Sequence, residues 1–481
     1  MRYRIAHRLR RNWSRYAAAA CGLCLATAAS AQQDPAPDLP VYVVQDCCAL
    51  CPEASNPAVY EGGYLSSFKM LVQGKDGWLF RTEDDLLMRY GLTPESFQAI
   101  AGISRFLDTL GVRLVMVPLP PRGLMAWSKL PDSHAAGANR DVAGFSYQAL
   151  LADLRGRGVV VPDLGQLVYQ PLEQPFYFRR DHHWTPYGAR MVAELTAQAI
   201  RELPAYEELP RTQMNTQQEG ILRKSGTYAE AVKRICGFSY PEQVIPRFTT
   251  SVEAAGGADL FGDAQKPRIL LAGTSNSDPA YNFAGFLAQS LEVDVFNAAV
   301  AGGGLAASMV QLLADPEFRQ DPPDILVWEM PAYSNFNDEA MYRQLLTLVH
   351  DGCAEQPAVL EADKALATNT HTEVLFNGDG MVQPIHGEEH LIDVRLSNPE
   401  VRKLRFTVWY TNGKSDNFAI ERSRHVETGG RFTFALRSGP GYSDATFLGL
   451  DVGPDDVALP SGVTAAVELC RRPASLAGVQ P

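Results

Sequence analysis

The sequence predicts an α/β domain built on a mostly parallel sheet, followed by an all-β sandwich. Three observations predict it. Short apolar runs alternate with amphipathic helical stretches through the first two thirds of the chain; from about residue 345, brief apolar and polar alternations between Gly, Asn and Asp turns replace them; and 481 residues are too many for one compact core.

The elements follow in order. Arg2, Arg4, Arg8, Arg10, Arg11 and Arg15 precede an apolar run from Ala17 to about Ala28, closed by Ala29-Ser30-Ala31. This is the pattern of a secretory signal over residues 1–31. The run is too short to cross a bilayer comfortably and no later run is long enough, so a soluble exported protein is expected. Cys21 and Cys24 lack a lipoprotein cleavage context. Residues 32 to about 60, rich in Pro and Cys, read as an irregular lead-in. Helical stretches at about 95–109 and 144–157 each precede an apolar strand, at 112–118 and 159–162; further strands are expected at 269–272, 293–296 and 325–328. Residues 203–266 show weak periodicity and read as an irregular excursion. Strands at 373–376, 401–410, 431–436 and 463–469 belong to the sandwich. The expected division is thus a signal over 1–31, an α/β domain over 32–344 and a sandwich over 345–481.

Chemistry concentrates at Asp181-His182-His183-Trp184-Thr185-Pro186. In an extended segment, residues two apart point to the same side, so Asp181 meets His183 while His182 turns away. Thr185 and Pro186 suit the N-cap and first position of a helix. An imidazole held by a carboxylate needs a hydroxyl beside it to act as a general base. The apolar run 269–272 ends in Gly273-Thr274-Ser275, a strand-to-helix turn of the kind that exposes a serine and nearby backbone N–H groups. Asp181, His183 and Ser275 are therefore the candidate catalytic residues. The Ser275 N–H, Tyr333 and Gly304, within the run Gly302-Gly303-Gly304, are candidate oxyanion donors, against the plainer reading of a packed ring and a helix-entry turn. Asn276 and Ser277 either position a substrate or cap the following helix.

The segments Asp181-x-His183-Trp184-Thr185-Pro186-x-Gly188, Gly74-Lys75-Asp76-Gly77-Trp78-Leu79-Phe80 and Gly273-Thr274-Ser275 resemble the SGNH-hydrolase-like polysaccharide O-acetyltransferases of bacterial exopolysaccharide secretion. Ordinary SGNH hydrolases carry the serine first and the Asp and His last; here the order is reversed, as in that group. The resemblance implies periplasmic O-acetylation of an acidic polysaccharide, with mannuronate residues of alginate as acceptor. It further implies membrane-associated partners for donor supply and polymer secretion and a carbohydrate-binding role for the sandwich, while the triad residues themselves point to an acetyl-serine intermediate; no cofactor is expected, and no metal, because the adjacent Cys47 and Cys48 with Cys51 make poor tetrahedral ligands and no histidine lies near. The resemblance also suggests a Cys51–Cys236 disulfide. Two rivals remain: a secreted carbohydrate acetylesterase, and a non-catalytic polysaccharide-binding scaffold.

Without the leader, six cysteines remain: Cys47, Cys48, Cys51, Cys236, Cys353 and Cys470. Cys353 and Cys470 bracket the last domain and are expected to pair; Cys47 and Cys48 stay unassigned. The net charge of −12 excludes a generic nucleic-acid binder and requires a polyanion to meet local cations. Arg122 and Arg179 near the site are candidates, with structural ion pairs as the alternative; Arg180 shares that ambiguity. On the strand at 401–410, Lys403, Arg405, Thr407 and Trp409 alternate onto one face, either a uronate-binding surface or an ordinary solvent face. A monomer is expected in isolation.

Overall fold

The computed structural model describes residues 42–252, 266–354, 356–387 and 389–472; the expected signal at 1–31 lies outside them. Four parallel strands form the sheet of the first domain, in the spatial order Arg113–Pro118, Ile325–Met330, Ile269–Ala272, Val295–Asn297. Arg113–Pro118, Ile325–Met330 and Ile269–Ala272 are almost wholly buried, which is why they read as apolar runs, whereas the edge strand Val295–Asn297 leaves Phe296 exposed. Pro94–Thr109 and Arg140–Gly156 begin at caps the sequence supplies, Thr93 accepting from the Ser96 N–H and Asn139 from those of Asp141 and Val142. From the central strand Ile269–Ala272 the chain moves outward to Val295–Asn297 and then returns to the other side at Ile325–Met330. The crevice beyond the carboxyl ends of those two central strands is where an open α/β sheet offers a site.

Two expectations are corrected. The strand at 159–162 shrinks to a single bridge between Val160 and Val115. Within the expected excursion at 203–266, residues 203–252 are not irregular: Met214–Lys224 and Gln243–Val252 pair as a long antiparallel ribbon around the helix Thr227–Cys236, and 253–265 lie outside the described residues. Much of that ribbon is partly or fully exposed, so its sequence carries no clean alternation.

The C-terminal part is an antiparallel sandwich of two four-stranded sheets. One runs Thr372–Phe376, Phe447–Gly453, Lys403–Tyr410, Ser415–Glu421; the other runs Arg431–Ala435, His390–Leu396, Thr464–Arg471, Ala358–Ala365. Leu404, Phe406 and Val408 project inward against Phe432 and Phe434, as the alternation predicts. The helix Glu339–Val349 packs on Pro94–Thr109 and on the strand Arg431–Ala435. From it, buried Arg343 donates to the Ala435 carbonyl at 2.7 Å and to Asp416 at 2.7 Å. The expected break after residue 344 falls inside this helix.

All six described cysteines are bonded: Cys51 to Cys236, Cys353 to Cys470, and the adjacent Cys47 and Cys48 to each other. Cys353 and Cys470 stand 117 residues apart and tie the end of the sandwich to its entrance. Replacing both with alanine is expected to cost about 4 kcal/mol, because the unfolded chain regains the entropy of a large loop; denaturant titration of the double variant checks this.

His350, at the C-terminal end of Glu339–Val349, packs its ring on Phe106 with centroids 4.3 Å apart, and among the described residues neither ring nitrogen finds a hydrogen-bond partner. Burial, helped by the Arg472 charge, pushes it down to about 4. A depressed histidine favours the folded state above its ordinary range near 6.5 and loses that contribution as pH falls toward 4. His350→Leu should therefore flatten the pH dependence of the melting temperature in this window.

Candidate active site

The Asp181 loop hangs from a bridge between Tyr177 and Trp184, with Phe178 N–H on the His183 carbonyl at 3.2 Å and Thr185 N–H on the Phe176 carbonyl at 2.9 Å. Within it, residues 181–183 form a bend, not the extended segment expected from the sequence. Asp181 and His183 still meet, through a turn in which Asp181 Oδ1 accepts the His183 N–H at 2.8 Å. The same oxygen accepts from His183 Nδ1 at 2.5 Å, and His183 Nε2 lies 2.8 Å from Ser275 Oγ. His182 does not turn away: its ring lies 3.8 Å from that of His183, and its Nδ1 is 2.9 Å from Thr227 Oγ1.

Local sequence explains the assembly. Thr185 caps the helix Pro186–Arg201 by accepting the Gly188 N–H at 3.2 Å. A Cβ on Gly188 would lie 2.4 Å from the Phe176 carbonyl, so only glycine lets the helix start this close to the loop. Buried Trp184 donates from Nε1 to the Asn276 carbonyl at 2.7 Å, joining the histidine loop to the serine turn. Ser275 itself opens a short 3₁₀ turn directly beyond the central strand Ile269–Ala272.

Asp181 is fully buried. Burial opposes its ionisation, but the charge and hydrogen bond of His183, with His182 and Lys224 behind them, prevail and hold its carboxyl well below the usual range. Its second oxygen accepts the Thr227 N–H at 2.7 Å and lies 3.6 Å from Lys224 Nζ. Lys224 also donates to the Tyr281 hydroxyl, and the Tyr281 ring stacks on His183 at 5.2 Å. Burial, reinforced by the His183 charge, pushes His182 well down, so it stays neutral.

Sequence reasoning missed Lys224, Thr227, Tyr281 and Glu329. The first two lie in the segment without periodicity. Glu329 alone gave a signal, as a single acid inside the apolar strand Ile325–Met330.

Other expected residues lie differently. Tyr333 borders the triad, edge-on to His182 at 5.8 Å and under the Arg81 guanidinium at 4.3 Å. Gly304 sits in the loop after Val295–Asn297 at φ 67° and, among the described residues, makes no hydrogen bond to the triad. Arg122 is buried: it donates to the Phe178, Leu79 and Arg179 carbonyls at 2.7, 3.0 and 2.9 Å and pairs with Asp85 at 3.6 Å, so it holds the Gly74–Phe80 hairpin to the catalytic loop. Arg179 donates to the Asp76 carbonyl and pairs with Asp46; Arg180 is buried over Tyr240.

On the sandwich, the four expected side chains do share one face, but it is no bare cationic strip. Lys403 pairs with Asp455 and Asp456 at 2.8 and 3.0 Å, and Arg405 Nε donates to Asp455 at 2.6 Å. Thr407 is buried and donates to Asn417 at 2.7 Å, whereas Trp409 is 43% exposed, with its Nε1 on Asp451 at 2.8 Å.

The parallel sheet, the serine turn beyond its central strand, the aspartate-histidine loop and the appended sandwich define an SGNH hydrolase-like domain with a C-terminal carbohydrate-binding module. The family model described as "SGNH hydrolase-like domain, acetyltransferase AlgX" matches residues 71–332, and that of a C-terminal carbohydrate-binding module matches 352–480. The chain belongs to the AlgX family. It is 39% identical over 459 residues to the alginate biosynthesis protein AlgX of Pseudomonas aeruginosa, covering 95% of both chains, and 36% identical over 462 residues to that of Azotobacter vinelandii. The solved structure of Pseudomonas aeruginosa AlgX superposes with a TM-score of 0.76 at 37% identity, over 88% of this chain and 99% of that one. The probable alginate O-acetylase AlgJ of Pseudomonas aeruginosa is 34% identical over 280 residues, 54% of this chain and 69% of its own.

Proposed function

We propose that this chain O-acetylates an exported acidic polysaccharide, with mannuronate residues of alginate as acceptor, through an acetyl-serine intermediate on Ser275. The observation that carries the reading is the continuous relay from Asp181 Oδ1 to His183 Nδ1 at 2.5 Å and from His183 Nε2 to Ser275 Oγ at 2.8 Å. Asp181 fixes the tautomer with the proton on Nδ1, leaving Nε2 to accept. Ser275 Oγ attacks the acetyl carbonyl of an ester donor as its proton passes to Nε2. The tetrahedral oxyanion takes hydrogen bonds from the Ser275 N–H and from the loops carrying Gly304 and Tyr333. It collapses, and the departing alkoxide takes the proton from His183. In the second half a sugar hydroxyl gives its proton to Nε2, attacks the acetyl-serine, and Ser275 leaves with that proton restored.

Paired cysteines support an oxidising, periplasmic setting. Among the described residues no helix is long and apolar enough to cross a membrane. The match to a carbohydrate-binding module supports a polymer acceptor over water. With its cations already paired, the sandwich face presents Trp409 as an apolar plate for a pyranose ring, and Lys403 and Arg405 as shared donors. Transfer from an activated acetate ester, followed with and without mannuronate oligomers, tests the reading: acetylated oligomer in place of free acetate supports it, and acetate release indifferent to oligomer makes the protein an esterase.

A further inference from the structure

The sheet carries one carboxylate that the relay does not use. Glu329 is fully buried near the end of Ile325–Met330, one residue beyond the pairing of Trp328 with Ala272. Its Oε2 accepts the Thr274 N–H at 2.8 Å, the Thr274 hydroxyl at 3.0 Å and the Ser277 hydroxyl at 3.2 Å. The Thr274 hydroxyl in turn accepts the Asn276 backbone and side-chain N–H groups, each at 3.2 Å. Residues on both sides of Ser275 are therefore tied, directly or through Thr274, to this one carboxylate. Gly273 makes room for it: a Cβ there would lie 2.9 Å from Oε2 and 2.7 Å from Ser277 Oγ.

We propose that Glu329 is a positioning residue for Ser275: its ionised carboxylate clamps the serine turn from below and sets the aim of both the hydroxyl and the Ser275 N–H. This rests on reading Ser275 as the nucleophile. Three donors converge on the group, which suits the ionised, acceptor-only form. A protonated carboxyl needs an acceptor of its own, so one hydroxyl must reverse. Thr274 cannot do so without dropping the bonds it accepts from Asn276, so the reversal falls on Ser277, and protonation exchanges the charge-assisted ties to the serine turn for weaker neutral ones. Among the described residues Glu329 has no ion-pair partner, and an uncompensated buried charge is costly. A turn that needed only rigidity is served better by a neutral side chain.

Burial raises the Glu329 carboxyl to about 7 against the hydrogen bonds from Thr274, Ser277 and Asn276. The titratable groups that face it are the phenols Tyr177 and Tyr333, both raised by burial and neutral throughout the working range. The cations that act on those phenols, Arg122 on Tyr177 and Arg81 on Tyr333, pair with Asp85. Because the folded state holds this proton more tightly than an unfolded chain, stability falls as pH rises from the ordinary glutamate range through about 7.

Glu329→Gln keeps the shape and removes the charge. Single-turnover acetylation of Ser275 by an activated acetate ester, followed across pH, is expected to slow about 100-fold at unchanged ester saturation. Its acid limb should become less steep by one proton. The melting temperature should equal or exceed the parent's at alkaline pH and lose its decline with rising pH. Thr274→Val, which removes the bridging hydroxyl, should slow the same step, and it decides the matter if the Gln variant does not fold. Parental rate and acid-limb steepness in Glu329→Gln, or in its place a parental rate in Thr274→Val, would overturn the proposal. So would a lower melting temperature with parental steepness, the result for a merely structural group. Ser275→Ala measured alongside separates the premises: label retained there defeats the nucleophile reading, whereas label lost there with a parental Gln variant defeats only the role of Glu329.

Discussion

Ser275→Ala, His183→Ala and Asp181→Asn are each expected to lower acetyl transfer by roughly ten-thousand-fold, with double variants losing little beyond the worst single one. The three groups act in series along one proton path, so removing any one removes the function of the others. The folded state should survive. Ser275 gives up only its contact with His183, and in Asp181→Asn the side-chain amide oxygen can still accept the His183 N–H that shapes the loop. Losses that add across the three sites, measured as single-turnover rates, would show that they do not form a unit.

The second large effect concerns stability. Arg122→Met takes a donor from the Phe178, Leu79 and Arg179 carbonyls, the first two buried and the third still bonded to the Leu79 N–H, and leaves Asp85 without one of its two guanidinium partners, so a loss of about 3–5 kcal/mol is expected. Two of those carbonyls belong to Phe178 and Arg179, just before Asp181, so the catalytic loop should loosen first. Urea unfolding measures the loss. If stability is unchanged and affinity for mannuronate oligomers falls instead, Arg122 meets the acceptor after all and its burial misleads.

Legibility followed the reach of the interactions. The four sheet strands, the inward face of Lys403–Tyr410 and the Thr185-Pro186 helix start depend on neighbours a few positions away, so pattern reveals them. The pairing of Asp181 with His183 was also readable, although the turn that produces it is not the extended pleat that spacing suggests. What stayed hidden depends on distant partners. Lys224 and Thr227 reach Asp181 from a ribbon and helix tied down by Cys236, far along the sequence. The ion pairs of Lys403 and Arg405 are made by Asp455 and Asp456, across a strand connection that alternation cannot see. An arginine beside an expected site reads as a ligand until its carbonyl partners are known, as Arg122 illustrates.

The central claim is that Ser275 carries the acetyl group. Its most direct test is the mass of the intact protein after brief incubation with an activated acetate ester, with the labelled peptide then mapped. The expected result is a gain of one acetyl group on Ser275, absent from Ser275→Ala and discharged by adding mannuronate oligomers. A parent protein that acetylates oligomers while never gaining mass, or a Ser275→Ala variant that labels as readily, would contradict it.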